Sequence, residues 1–182
     1  MRKWNAVLSM GILVLFLVHA IAGGFQLLGV IPGGSGFLSV LSWIMTVLIA
    51  LHAVIGTILT VQTVRIQKRA GALYLKENRL FWTRRVSGFA VMLLILSHIL
   101  IFIGKQGEAY RLHPFGAVEL VTQVLLVLSI AVHVLTNIRP LMTALGARGW
   151  RDFFVDILLV LSVLLFFAGI AFLVYFFRWQ QL

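Results

Sequence analysis

Four histidines, His19, His52, His98 and His133, each stand alone within a separate long apolar stretch. An imidazole in hydrocarbon costs free energy unless something satisfies it, so residues of this kind are functional candidates by default. One histidine on each of four successive stretches implies two pairs, and two pairs imply two metal centres. A haem iron held by one histidine on each face suits this donor set best. Two axial histidines leave iron no open position, so such a centre carries electrons and does not bind oxygen. The competing reading is four interhelical hydrogen bonds, with Thr57, Thr60, Ser97, Thr136 and Asn137 as candidate partners.

Cysteine is absent. That excludes a protein-bound iron–sulfur cluster, a disulfide framework and covalent haem attachment through C-x-x-C-H. Any haem here is therefore of the b type, held by axial ligands and packing.

The elements that must position the histidines follow from composition. The chain has 182 residues, 62% of them hydrophobic, and a mean hydropathy of +1.08. Long apolar runs of this kind are membrane spans. Five are predicted, at about 5–31, 37–64, 80–104, 115–138 and 153–177, each long enough for a hydrocarbon core of about 30 Å. The expected fold is an all-α integral membrane protein, a five-helix bundle forming a single domain over 1–182. The segment 1–24 imitates a secretory signal, but its apolar run continues to Ile31, as a full span requires.

The net charge of +10 is distributed by side. Arg2, Lys3, Arg65, Lys68, Arg69, Lys76, Arg79, Arg84, Arg85, Arg139, Arg148 and Arg151 fall on one side of the spans, and only Lys105, Arg111 and Arg178 on the other. This positive-inside bias predicts a cytoplasmic N-terminus and an outer C-terminus, and it argues against a nucleic-acid partner. The connection 31–36 is short and turn-rich, so the first two helices are antiparallel neighbours. The basic segment 65–85 suits an interfacial helix, with Leu73, Tyr74, Leu80, Phe81 and Trp82 at the headgroups. Pro140, Gly146 and Gly149 are expected to end the fourth helix. Asp152 and Asp156 suit the start of the fifth as cap and dipole partners. Trp150, Tyr175 and Trp179 look like interface anchors.

Depth pairs the histidines. Counting at 1.5 Å per residue, His19 and His98 lie roughly 10–18 Å from the outer boundary, and His52 and His133 roughly 20 Å or more. The natural pairs are His19 with His98, and His52 with His133. Gly23, Gly56 and Ser129 each lie one turn from a histidine and would open space for a bulky planar group; small residues also simply permit close helix packing.

At this point the chain resembles the dihaem cytochrome b anchor subunit of the succinate dehydrogenase and fumarate reductase family. The stretches that carry the resemblance are Leu51-His52-Ala53-Val54-Ile55-Gly56, and Arg84-Arg85-Val86-Ser87-Gly88 followed ten residues later by His98. Five helices with ligands on the first four extend the likeness over nearly the whole chain. The resemblance implies that His19 and His98 ligate an outer haem b, and His52 and His133 an inner one. Arg84, Arg85 and Ser87 would hold haem propionates, although positive-inside anchoring explains the arginines equally well. The implied partners are a quinone, usually menaquinone, and a cytoplasmic iron–sulfur subunit with an FAD-containing flavoprotein. The chain would then be the electron-transfer subunit of an enzyme whose dicarboxylate site lies elsewhere. Its implied location is a bacterial cytoplasmic membrane, and a dimer of the assembled complex is compatible with it.

There are departures. Some family members place a glutamate near an outer quinone site in the first helix pair; here no acid precedes Glu77. Some carry a glutamate two residues before the fourth ligand; here that residue is Ala131. Candidate quinone or proton residues are therefore Glu108, His113 and Glu119. Two alternatives stay open: a haem b subunit of a hydrogenase or formate dehydrogenase, and a non-redox transporter or scaffold.

Overall fold

The computed structural model describes residues 1–71, 78–103, 115–146 and 151–180. It is all-helical: α1 (Arg2–Leu27), α2 (Gly36–Arg69), α3 (Arg79–Phe102), α4 (Ala117–Ala144) and α5 (Arg151–Gln180). All five helices are long and apolar enough to cross a membrane. Their outward faces agree with that. Phe89, Leu100, Val118 and Phe166 are among many large apolar side chains left exposed, a surface that lipid tolerates and water does not.

Three boundaries differ from expectation. Helix α1 stops at Leu27 instead of running to residue 31. Gly29, at φ 73°, turns the chain, and its N–H bonds to the Gln26 carbonyl. Arg178 of α5 donates to the freed Leu27 carbonyl at 3.2 Å, which closes that helix end. Helix α2 continues past residue 64 to Arg69, because helical hydrogen bonding does not end where side chains turn polar. Gly71, at φ 80°, follows that end. Helix α4 passes through Pro140 and ends only at Ala144. Proline was expected to end it; instead the helix tolerates one missing N–H, for a reason found on α3.

The packing is uneven. Helix α3 lies mainly on α4, α1 lies mainly on α2, and α5 covers α1 and α4. Helices α2 and α3 barely meet, and no described residue of α2 is buried. Two apolar clusters hold the rest. Leu27, Phe115, Ala171, Phe172 and Tyr175 form one, and Ile138, Met142 and Leu161 the other. Gly24 of α1 faces Phe167 of α5, whose ring occupies the space a side chain would take. The helix ends carrying Lys3, Arg69, Arg79 and Arg139 form the basic end of the bundle, and the opposite end is the far end.

Candidate functional site

The packing leaves a cavity of about 1870 Å³ between the helices, lined by all four histidines. Small-molecule sites typically measure about 300–1,000 Å³, so this space exceeds what one small ligand needs. Gly23 and Gly56 line it, and a Cβ on either would meet open space. Ser129 is not among its lining residues.

The histidines meet in pairs across this space. The ring centroids of His19 and His98 are 5.9 Å apart with their planes at 77°. Those of His52 and His133 are 6.4 Å apart at 82°. These are the partners that depth predicts. The spacing has a chemical meaning. With a metal–nitrogen bond of about 2 Å, and about 1 Å more to the ring centre, two imidazoles on opposite faces of one ion hold their centroids about 6 Å apart.

Each ring is held by its other nitrogen. His52 Nδ1 meets Ser9 Oγ at 3.2 Å, His19 Nδ1 meets Ser42 Oγ at 3.0 Å, His133 Nδ1 meets Ser87 Oγ at 3.3 Å, and His98 Nδ1 meets Gln123 Oε1 at 2.7 Å. The direction of these bonds follows from the serines. Ser9 donates its one proton to the Asn5 carbonyl, Ser42 to Leu38 and Ser87 to Arg84. A hydroxyl that has donated can only accept. An amide oxygen also only accepts. Each Nδ1 thus stands opposite an acceptor, an arrangement that suits a proton on Nδ1 and a lone pair on Nε2. A second group on one nitrogen that fixes the tautomer is the usual support of a metal-binding histidine.

The supports form a pattern that the sequence reading missed. Ser9 precedes His19, Ser42 precedes His52, Ser87 precedes His98 and Gln123 precedes His133, each by ten or eleven residues. Each of α1 to α4 thus supplies one histidine at one level and one acceptor for a neighbouring helix at the other level. The rise of ten residues sets the two levels about 15 Å apart. Thr57, Thr60, Ser97, Thr136 and Asn137 are not the partners. Thr60, Thr136 and Asn137 donate to carbonyls of their own helices.

At the far end, the His98 ring lies 5.1 Å from Phe102 and 6.4 Å from Phe172, inside an aromatic group completed by Phe115 and Tyr175. At the basic end, α3 is decisive. Ser87 is buried and meets His133 Nδ1 at 3.3 Å. At Gly88 an added Cβ would lie 3.0 Å from His133 Cε1, so only glycine admits the ring there without displacement. Arg84 Nε donates to the Thr136 carbonyl at 2.9 Å. That is the carbonyl whose helical partner would be the N–H of residue 140. Pro140 has none, so the proline creates the acceptor that Arg84 takes.

A stability prediction follows. Arg84→Leu should leave that carbonyl unpaired and cost about 1–3 kcal/mol. In the Pro140→Ala background the new N–H replaces the lost donor, so the cost should fall. Thermal melts in a double-mutant cycle measure the coupling; equal costs in both backgrounds would refute it.

Arg85 lines the cavity, its guanidinium 5.0 Å from the Phe81 ring. Its Nε is buried without a hydrogen-bond partner, as are Trp82 Nε1, Asn5 Oδ1 and Gln67 Oε1, all from helix segments at the basic end. A buried donor left unpaired calls for an acceptor from outside the chain. The carboxylates of a bound cofactor have the chemistry for Arg85.

Two imidazoles are too few for a structural zinc, which takes four protein ligands. They are the number that iron in a four-nitrogen macrocycle leaves to be filled. Among the described residues, no three His, Asp or Glu side chains converge. Glu119 is half-buried at the far end, where Oε2 accepts from the Gly116 N–H at 2.9 Å and closes the start of α4. Glu108, His113, Lys76, Glu77, Lys105, Arg111, Arg148 and Trp150 lie outside the described residues. Compared with known proteins, the chain matches no family model, no curated protein and no solved structure.

Proposed function

We propose that this chain is a dihaem b membrane subunit. It carries electrons between a quinone, of the menaquinone type, and the iron–sulfur and flavoprotein subunits of a succinate dehydrogenase or fumarate reductase. The observation that supports this reading most is the pair of facing imidazole couples, each ring's Nδ1 set against a polar side chain of a neighbouring helix. Haem b, when bound, supplies one-electron redox chemistry. His19 and His98 hold it at the far end, and His52 and His133 at the basic end. Arg85 pairs with its carboxylates there, while Arg84 and Ser87 set α3 against α4 and His133.

The basic end is cytoplasmic by the positive-inside bias, which puts the N-terminus inside and the C-terminus outside a bacterial cytoplasmic membrane. The soluble subunits dock on that end, so this chain does not touch the dicarboxylate. Glu119, with Glu108 and His113, serves the far side as a candidate proton or quinone residue.

The test is made on the complex purified with its soluble subunits. Succinate should reduce b haem, or fumarate should reoxidise haem reduced by quinol. Haem that answers only to hydrogen or formate, through a nickel or molybdenum subunit, would assign the chain to a different oxidoreductase.

A further inference from the structure

Three of the four histidines rest on serine hydroxyls, and the fourth does not. His98 rests on the side-chain amide of Gln123, which is fully buried, at 2.7 Å, the shortest of the four contacts. The amide is oriented from its other end. Its Nε2 donates to Thr122 Oγ1 at 3.3 Å, and Thr122 has already donated its own proton to the Glu119 carbonyl at 2.8 Å. Thr122 can therefore only accept from the amide nitrogen, and the amide oxygen must face His98. If the amide were reversed, an N–H would face Nδ1. The imidazole would then carry its proton on Nε2 and lose the lone pair a metal needs.

We infer that Gln123 is the positioning residue of the far-end centre. Oriented by Thr122, it holds His98 in the ligating tautomer and sets the electron density the ring donates. This rests on the dihaem reading above. An amide carbonyl is a fixed dipole aimed at the ring N–H, and a strong acceptor there makes the imidazole a better donor. Richer donation favours ferric over ferrous iron, and hydrogen bonding beyond the ligand atom is one of the levers on haem potential. Gln123 touches neither iron nor quinone in this scheme; it acts through His98.

The test is a redox titration of the holoprotein with low-spin ferric EPR at each step. The far-end centre is identified as the one that His19→Ala removes. Gln123→Leu keeps the volume and deletes the acceptor. It should raise the far-end midpoint and alter that centre's EPR signal, leaving the other centre unchanged. Gln123→Glu keeps an oxygen opposite Nδ1, so it should retain both haems with the far-end midpoint at or below the native value. Loss of the far-end haem in Gln123→Leu, with retention in Gln123→Glu, also supports the assignment. Unchanged midpoints and signals in Gln123→Leu, equal shifts at both centres, or haem loss in Gln123→Glu would overturn it. A native chain that binds no haem overturns the dihaem reading instead, and that is known before any variant is made.

Discussion

His52→Ala and His133→Ala should each remove the same b haem, halving the haem content, while His19→Ala and His98→Ala remove the other. The rings of each pair face each other at 5.9 and 6.4 Å across one cavity, and among the described residues each has one partner imidazole. On the dihaem reading, each cofactor would have only two protein ligands and packing to hold it, so losing one ligand would remove half of the iron's protein bonds. The fold should survive. Each histidine is only half-buried, and the clusters around Leu161 and around Phe172, which His98 borders, are built from apolar side chains. Spectra of the reduced variants, with helix content by circular dichroism, make the measurement. Exogenous imidazole fits the space an alanine leaves and should restore part of the lost haem. Loss of the same centre in His19→Ala and His52→Ala would show that the pairing is wrong.

Gly88→Val should match His133→Ala in haem loss without touching a ligand. A Cβ at residue 88 lies 3.0 Å from His133 Cε1 and 3.2 Å from Nδ1. Valine adds two further carbons on a helix backbone that cannot retreat, because α3 and α4 are the most closely packed pair. The ring must leave Ser87 and turn from His52. Overpacking of this kind costs about 1–3 kcal/mol when the neighbours can shift, and here the shift would take with it the nitrogen proposed to ligate. The control is Gly11→Ala, where the new Cβ meets Leu48 Cδ1 at an ordinary 3.8 Å. That variant should keep both haems, and its helix should gain about 0.5–1 kcal/mol. Both haems retained in Gly88→Val would mean that His133 needs no close approach to α3.

Much of this site was legible in the sequence because hydrocarbon makes polar residues conspicuous. Four lone histidines could be ordered by counting residues, and the helical rise turned the counts into partners. The acceptors were not legible. Serine within a membrane helix usually bonds back to its own backbone, and Ser9, Ser42 and Ser87 all do so. That bond is what commits their oxygens to accept from a histidine, a consequence visible only once neighbouring helices are in place. The spacing of ten or eleven residues before each histidine was the available signal. Pro140 misled for a related reason. Proline reads as a helix terminator when considered locally, but the missing N–H at 140 is compensated from α3 by Arg84. The ends of α1 and α2 shifted because turn geometry at Gly29 and Gly71, and not the limit of hydrophobicity, marks where the helices stop.

The most direct test of the two-centre site is a count of b haem. A reduced-minus-oxidised spectrum with pyridine haemochrome quantitation, on folded protein made with ample haem, should give two b haems per chain. A folded chain carrying none would contradict the redox reading and leave the four histidines as interhelical hydrogen-bonding groups.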